Sequence, residues 1–179
     1  MTRVKDLMTG FSDMVVVDEK ANLFEALLQF GVAWTDRSAG ARSPVALVVN
    51  EENRITGFLE CKNLLLAFQP GYLELAQAAG PSGISPAKIG FEIQKSGLLE
   101  EALEGLCKKA AEIPIRSVTT MPGQDRITGS EVSISQAAFR MAVSGQDYLF
   151  VTGGDVLEGI ITLSDLMRHI CETVRACRL

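Results

Sequence analysis

The chain has 179 residues, of which 47% are hydrophobic and 22% charged, as in a globular protein of one large or two small domains. A net charge of −5, with 17 Lys and Arg dispersed along the chain, excludes the basic face of a nucleic-acid-binding protein. No apolar run is long enough to span a membrane, and the start, "MTRVKDLMTG", lacks the apolar core of a signal peptide. We therefore expect a soluble cytoplasmic protein.

The cysteines and the single histidine do not form the pattern of a metal site or a catalytic centre. Cys61, Cys107, Cys171 and Cys177 include no Cys-x-x-Cys pair, and disulfides do not suit a chain without a leader. A Cys–His nucleophile would have to use His169 and would lack a third group to orient it. There is no P-loop and no Ser-His-Asp order, so we expect neither a metal nor an enzyme.

The first half of the chain predicts the order β-α-β-β-α. A short β-branched strand, "MVVV" at 14–17, is followed by a helix whose apolar residues recur at helical spacing from Leu23 onward. The strands "VALVVN" (45–50) and "ITGFLE" (55–60) flank a turn, and the short helix "CKNLLLAF" (61–68) closes the unit.

Residues 69–112 are predicted to connect the two halves. The stretch "QPGYLELAQAAGPSGISP" is punctuated by Pro and Gly, as connecting segments commonly are. The stretch "GLLEEALEGLCKKAAE" (97–112) has the apolar spacing of an amphipathic helix, with Glu104 and Lys108 as a favourable i,i+4 pair. This helix either bridges onto one half or supplies a dimer face.

The second half predicts the same order again. "DRIT" (125–128) is its first strand, and "ISQAAFRMAV" (134–143) is its long helix. "DYLFVT" (147–152) and "VLEGIIT" (156–162) are strands joined by a turn, and "LSDLMRHICETV" (163–174) is the last helix. A series of elements that occurs twice indicates two repeats of one small unit.

Equivalent positions in the two repeats locate an insertion in the first. Asn22 and Ser133, which are expected to cap the long helices, lie 111 positions apart, whereas the strand glycines Gly57 and Gly159 lie 102 apart. Most of the nine-residue difference falls in the loop "TDRSAGARSP" at 35–44, because the second repeat has only the three residues "SGQ" in that place. Such a loop is either a solvated excursion or a mobile flap.

Together these features resemble a pair of CBS domains, also called a Bateman module. The repeated element order, the lead-in "VKDLMT" (4–9) and the Gly-h-h-Thr-x-x-Asp pattern (h, hydrophobic) at 159–165 carry the resemblance. It implies an α/β (α+β) fold of two β-α-β-β-α repeats packed as a pair through their sheets, with nucleotide-binding clefts between them. We place the first repeat at 1–68, a helical connecting segment at 69–112 and the second repeat at 113–179.

The resemblance assigns Thr162 and Asp165 to the ribose of an adenosine nucleotide, and the backbone near Arg126 and Ile127 to its adenine. The residue types fit, because a carboxylate can accept hydrogen bonds from both ribose hydroxyls and a threonine hydroxyl can add another. The N-terminus of the following helix suits a phosphate. The alternative is that Thr162 and Asp165 only form a capping box at the start of that helix.

His169 is a further candidate for contact with a phosphate. It lies four residues after Asp165, on the same face of the predicted helix. The alternative is an ordinary histidine at the surface or at the edge of the core. Arg168, its neighbour, is expected to point elsewhere on the helix, into solvent.

The first repeat departs from the motif, because Glu60 stands in place of Thr162 and Asn63 stands in place of Asp165. Asparagine can still bond a ribose hydroxyl. Glu60 is larger and negative, so it would crowd the sugar and repel a nearby phosphate. We therefore predict a degenerate site in the first repeat, and one competent site or one nucleotide bound much more tightly than the other.

The function that follows is a stand-alone regulatory module, without a cofactor, that binds AMP, ADP, ATP or a related adenosine ligand and changes the packing of its two repeats. We expect no catalytic or transport domain to be attached, because the sequence ends five residues after the last predicted helix, so the regulated protein would be a separate partner. The alternative is an interaction or scaffold protein that keeps the fold and has lost ligand binding, which Glu60 favours.

A homodimer is also expected. The last helix of each repeat carries an apolar stripe, and contiguous exposed patches of this kind usually bind a partner. The candidate stripes are Leu163, Met167 and Ile170 in the second repeat, or Leu64, Leu65 and Phe68 in the first.

Overall fold

The computed structural model describes residues 2–35, 44–68, 90–91 and 102–176. The inserted loop and most of the predicted connecting segment therefore lie outside the described residues. Of the amphipathic helix predicted at 97–112, the structure describes Ala102–Glu112.

The described part of the chain forms seven strands and five α-helices. The strands are β1 (Thr9–Gly10), β2 (Val16–Asp18), β3 (Val45–Val49), β4 (Ile55–Glu60), β5 (Ile127–Gly129), β6 (Tyr148–Gly153) and β7 (Val156–Thr162). The helices are α1 (Leu23–Thr35), α2 (Cys61–Phe68), α3 (Ala102–Glu112), α4 (Ile134–Ser144) and α5 (Leu163–Ala176). From β2 to α2 and from β5 to α5 the order is β-α-β-β-α, so the predicted α/β class is confirmed.

The chain divides into two compact units. Each unit contains the short segment that precedes the other repeat in the sequence. One, the discontinuous unit, comprises Met1–Met14 and Met121–Leu179; the other, the continuous unit, comprises Val15–Thr120. The repeats were placed in the order of the chain, as 1–68 and 113–179. The compact units instead combine the first fourteen residues with residues 121–179, and residues 113–120 with the first repeat.

The exchange follows from two lead-in segments. In the discontinuous unit, Val4 is fully buried and its N–H donates to the Val132 carbonyl at 2.9 Å. In the continuous unit, Ile115 is fully buried and its N–H donates to the Ala21 carbonyl at 3.0 Å. Val4 and Ile115 lie 111 positions apart, which is the offset of the repeats. "IRSVTT" (115–120) is therefore a second lead-in that the sequence pattern did not reveal.

The first lead-in ends as a short strand beside the glycine of β7. Thr9 and Gly10 of β1 pair antiparallel with Ile160 and Gly159. A Cβ atom at Gly159 would meet the carbonyl oxygen of Thr9. The close approach of these two backbones therefore requires glycine at this position.

The discontinuous unit contains a four-stranded sheet in the order β1-β7-β6-β5, in which β5 and β6 are parallel and the other pairs antiparallel. Helix α4 begins at the predicted capping box of Ser133 and Gln136 and ends at Gly145, whose φ of 65° favours glycine. Residues of α4, α5 and one face of the sheet form the core with Val4. Its buried members are Val4, Ile134, Ala137, Met141, Leu149, Val151, Ile161 and Leu166.

The continuous unit contains a three-stranded sheet in the order β2-β3-β4, with β2 parallel to β3 and β3 antiparallel to β4. Helix α1 begins at the predicted cap, where Asn22 and Glu25 exchange two backbone-to-side-chain hydrogen bonds of 3.0 Å. Phe58 and Thr120 exchange two backbone hydrogen bonds, as β1 does with β7 in the other unit. The buried core comprises Val17, Ala21, Leu23, Ala26, Phe30, Ala46, Val48, Leu59, Leu64, Ala110 and Ile115.

An apolar stripe follows the outer face of α5. Its residues are large and exposed by 43–63%: Leu163, Met167, Ile170 and Val174. The alternative stripe on α2 is wrong in part, because Leu64 is buried in the core, although Leu65 is exposed. The side chain of Phe68 lies outside the described residues. Within the described residues no helix has both the length and the apolar character to cross a membrane.

Candidate functional site

Thr162 and Asp165 lie where β7 runs into α5 without a loop, so Thr162 ends the strand and Asp165 is the third helical residue. Oδ2 of Asp165 accepts hydrogen bonds from the Thr162 N–H at 3.0 Å and from the Thr162 hydroxyl at 2.7 Å. The Asp165 N–H donates back to Oγ1 of Thr162 at 3.1 Å. The two residues therefore form a complete capping box, and any ligand role has to be compatible with it.

The second carboxylate oxygen of Asp165 is bound by Arg168. Oδ1 accepts a hydrogen bond from Nη2 of Arg168, three residues further along α5. The expectation that Arg168 points elsewhere is wrong: its side chain is 63% exposed, but it folds back onto Asp165, whose side chain is only 10% exposed. Residues three apart are neighbours on a helix, so a nearly buried carboxylate is paired with a cation that remains largely in water.

Arg126 lies against two aromatic rings. It belongs to a 3₁₀ turn, Gln124–Arg126, directly before β5, and not to the strand on which it was predicted. Its guanidinium carbon is 4.7 Å from the ring centroid of Tyr148 and 5.7 Å from that of Phe150. The two rings contact each other edge to face, with centroids 5.7 Å apart. Such cation–π contacts are favourable and hold the guanidinium over this part of the sheet.

Tyr148 and Phe150 were missed in the sequence, although "DYLFVT" contained the signal. Two residues that are two positions apart in a strand point to the same face of the sheet. An alternation of aromatic residues in a predicted strand therefore indicates one aromatic surface, here opposite the core-facing Leu149 and Val151.

The strand register brings four of the predicted residues to one end of the sheet. Tyr148 on β6 lies opposite Thr162 on β7, and Phe150 lies opposite Ile127 on β5. Residues that are directly opposite on neighbouring strands share a face. Arg126 contacts both aromatic rings, and Ile127 and Thr162 lie opposite them in the register. Asp165 is linked to this group through its hydrogen bonds with Thr162.

His169 has a different environment. It lines a surface depression of about 280 Å³ formed by the outer side of α5, the start of α4 and the N-terminal segment. The other lining residues are Thr2, Ile134, Ser135, Ile170, Thr173 and Val174. The four other predicted ligand residues are not among those that line this depression.

The same register identifies the equivalent positions in the continuous unit. Glu60 lies opposite Val45, as Thr162 lies opposite Tyr148. Val16 lies opposite Leu47, as Ile127 lies opposite Phe150. Aliphatic side chains therefore replace both aromatic rings, and the residue before Val16, which corresponds to Arg126, is also a valine.

Glu60 and Asn63 are engaged with the second lead-in. Nδ2 of Asn63 donates to the carbonyl of Val118 at 3.5 Å and to the hydroxyl of Thr120 at 3.4 Å. That hydroxyl donates in turn to Oε1 of Glu60 at 3.5 Å. The residues that replace Thr162 and Asp165 thus hold the lead-in to the start of α2, and they do not form the reciprocal capping box.

The described residues offer no metal site, because they contain no group of three or more His, Cys, Asp or Glu side chains that could hold an ion. Cys61, at the start of α2, is half-buried. Burial raises the pKa of its thiol, and this effect outweighs the opposing backbone hydrogen bond; the Glu60 carboxylate raises it further. The thiol is therefore protonated at neutral pH, which does not suit a nucleophile.

Comparison with known families shows that residues 111–172 match the CBS domain. A comparison with curated protein sequences gives no match.

Solved structures with a similar fold cover nearly the whole chain. The CBS domain of a bacterial CNNM/CorC family Mg²⁺ transporter in complex with ATP is 16% identical, with 95% of this chain and 87% of that chain covered and a TM-score of 0.55. CBSX2 in complex with AMP is 17% identical, with coverages of 97% and 98% and a TM-score of 0.56. A putative acetoin utilization protein (AcuB) from Vibrio cholerae is 18% identical, with coverages of 98% and 94% and a TM-score of 0.56. These likenesses show that the fold is that of CBS domain proteins, as the sequence motifs indicated.

Proposed function

We propose that this chain, which has the fold of CBS domain proteins, is a regulatory module that binds one adenosine-containing nucleotide through the discontinuous unit. The observation that carries the proposal is the nearly buried carboxylate of Asp165 at the end of β7, beside Thr162 and the aromatic pair under Arg126. Two proteins of similar fold, the transporter domain and CBSX2, are described as complexes with ATP and AMP. The fold and the local chemistry therefore support the same class of ligand.

Each part of a nucleotide has a complementary group in this site. The two ribose hydroxyls are donors, and Asp165 is an acceptor for them. The backbone at Ile127, beside the buried Tyr148 and Phe150, offers an edge for the adenine. In the first turn of α5 the N–H groups of Leu163 and Asp165 are already bonded, to the Asp147 carbonyl and to Oγ1 of Thr162, so the Ser164 N–H and the positive end of the helix dipole are left for a phosphate. His169, which lines the separate depression, is left out of the proposed site.

The continuous unit is proposed to bind no second nucleotide, or to bind it far more weakly. Its equivalent positions carry valine and leucine in place of the aromatic pair, and valine in place of Arg126. Asn63 is already bonded to the lead-in, and Glu60 adds a negative charge beside it. A titration of the whole chain is therefore expected to give one nucleotide per chain.

Regulation would follow from the binding free energy, since a ligand shifts a conformational equilibrium when it prefers one of two states. The proposed output is a conformational change that a separate protein reads, in the cytoplasm. A second candidate function is an interaction or scaffold protein without a ligand. It is favoured by one observation, the capping box, which already explains Thr162 and Asp165 as structural residues.

A thermal-shift panel of AMP, ADP, ATP and adenosine, with GMP and CMP as controls, tests the proposal. A ligand at 100 times its Kd adds about 2.7 kcal/mol to the free energy of unfolding. For a chain of this size that corresponds to a rise in Tm of roughly 5–10 °C. We expect such a rise with at least one adenosine nucleotide and with neither control, GMP or CMP. Unchanged melting with every nucleotide, together with no heat in calorimetric titration, would favour the scaffold.

A homodimer remains part of the proposal. The stripe of Leu163, Met167, Ile170 and Val174 runs along α5 with helical spacing, which is the pattern of a helix-packing face. Light scattering at micromolar concentration is expected to give twice the mass of one chain. Met167→Glu places a charge in the stripe and should give the monomer mass, whereas Glu172→Gln on the same helix should not change the mass. A wild-type monomer would contradict this expectation.

A further inference from the structure

The hydrogen-bonding capacity of Asp165 is nearly used up before any ligand arrives. An ionised carboxylate has about four acceptor positions, two on each oxygen. Both positions on Oδ2 are filled, one by the N–H and one by the hydroxyl of Thr162. On Oδ1, one position is filled by Arg168. Among the described residues nothing else donates to Asp165, so one acceptor position is left.

A ribose diol needs two acceptor positions when both of its hydroxyls donate to one carboxylate. The two on Oδ2 belong to the capping box that begins α5: the Thr162 backbone N–H fills one, and the Thr162 hydroxyl, which itself accepts from the Asp165 N–H, fills the other. Among these three bonds, the one from Arg168 is the only one that can be broken without breaking the capping box, so it supplies the second position for the ribose. The ligand must displace this guanidinium to bind Asp165 with both hydroxyls.

We propose that Arg168 determines the ligand preference of this site by competing with the ribose for Oδ1 of Asp165. When the ribose displaces Arg168 from Asp165, the guanidinium loses its anionic partner. A phosphate on the same ligand provides a new anion for it. A nucleoside has no phosphate and leaves the displaced cation without an anion. Arg168 thus favours phosphorylated ligands over adenosine. This inference rests on the proposed function.

The geometry of Arg168 suits this exchange. Its side chain is 63% exposed, so the guanidinium stays hydrated when it leaves Asp165. The planar guanidinium can bind a phosphate with two parallel hydrogen bonds, as it can a carboxylate. It also lies beside the first turn of α5, where the helix dipole already favours an anion.

Calorimetric titration with adenosine and with AMP tests this inference in the wild type, Arg168→Gln, Arg168→Lys and Arg175→Gln. In Arg168→Gln we expect AMP to bind about tenfold more weakly, because one charge-assisted contact is lost. Adenosine should bind as well as before or a few-fold better. Arg168→Lys should lie between wild type and Arg168→Gln. Arg175→Gln removes the same charge from the exposed last turn of α5 and should change neither affinity.

The outcomes separate this inference from the proposed function. If AMP binds the wild type and the ratio of the two affinities is the same in Arg168→Gln, the inference is overturned and the function stands. This includes the case in which Arg168→Gln weakens the binding of both ligands by the same factor, which would mean that Arg168 only supports Asp165. Adenosine binding by Arg168→Gln alone would support the competition directly. No binding of adenosine, AMP, ADP or ATP to any of the four proteins would overturn the proposed function, and the inference with it.

Discussion

Asp165→Ala is expected to weaken the binding of an adenosine nucleotide ten- to hundredfold while the protein stays folded. Hydrogen bonds to a charged group are worth about 1.5–3 kcal/mol, which corresponds to this loss of affinity. The substitution also removes one half of the capping box, so the free energy of unfolding should fall by about 0.5–2 kcal/mol. Calorimetric titration gives the affinity, and thermal unfolding gives the stability.

Two further variants separate ligand binding from capping. Asp165→Asn keeps the size of the side chain and an oxygen that accepts from Thr162, so it should retain most of the stability and still bind the nucleotide poorly. Asn63→Ala is the matched control in the continuous unit and should leave the affinity unchanged. A folded Asp165→Ala protein with wild-type affinity would reduce Thr162 and Asp165 to capping residues. Equal losses from Asp165→Ala and Asn63→Ala would show that the two sites were ranked wrongly.

Gly159→Ala is expected to lower the free energy of unfolding by about 2–3 kcal/mol, as overpacking does in a well-packed interior. The new methyl group would meet the backbone of Thr9 and Gly10, which cannot rotate away as a side chain can. Strand β1 would have to separate from β7. Thermal unfolding should show a fall in Tm of roughly 5–10 °C.

The same substitution elsewhere provides the controls for Gly159→Ala. At Gly57 the methyl group would meet mainly the side chain of Thr119, which can move, so a smaller loss is expected. At Gly31, within α1, the space is open, and alanine should stabilise the helix by about 0.5–1 kcal/mol. If Gly159→Ala were as stable as Gly31→Ala, the packing of β1 against β7 described here would be wrong.

The elements that depend on neighbouring residues could be predicted from the sequence. The bounds of α2, the caps at Asn22 and Ser133, and the repeated order of strands and helices all follow from periodicity and capping chemistry within a few residues. The contact between Asp165 and Arg168 had the same kind of signal, an acidic and a basic residue three apart on a helix. It was missed because Arg168 was considered only as a solvated residue.

The exchange of the lead-ins could not be predicted in the same way. The strand β1 has two residues, too few for any periodicity, and its partner on β7 is about 150 positions away in the chain. The position of Arg126 over Tyr148 and Phe150 also depends on the pairing of β5 with β6, which sets the register between distant segments. Local pattern identified the residue types of the candidate site, and the strand register decided which of them meet.

The exchange of lead-ins also has a consequence for folding during synthesis on the ribosome. Val4 belongs to a core whose other buried members begin at Ile134, so the first segment emerges long before its partners exist. The continuous unit, Val15–Thr120, is made in between and can fold first. Synthesis proceeds at about 5–20 residues per second, so these roughly one hundred residues take on the order of 5–20 s to make. The N-terminal segment has no folding partner during this time. During that interval the apolar side chain of Val4 stays exposed to water, because the residues that bury it have not yet been made.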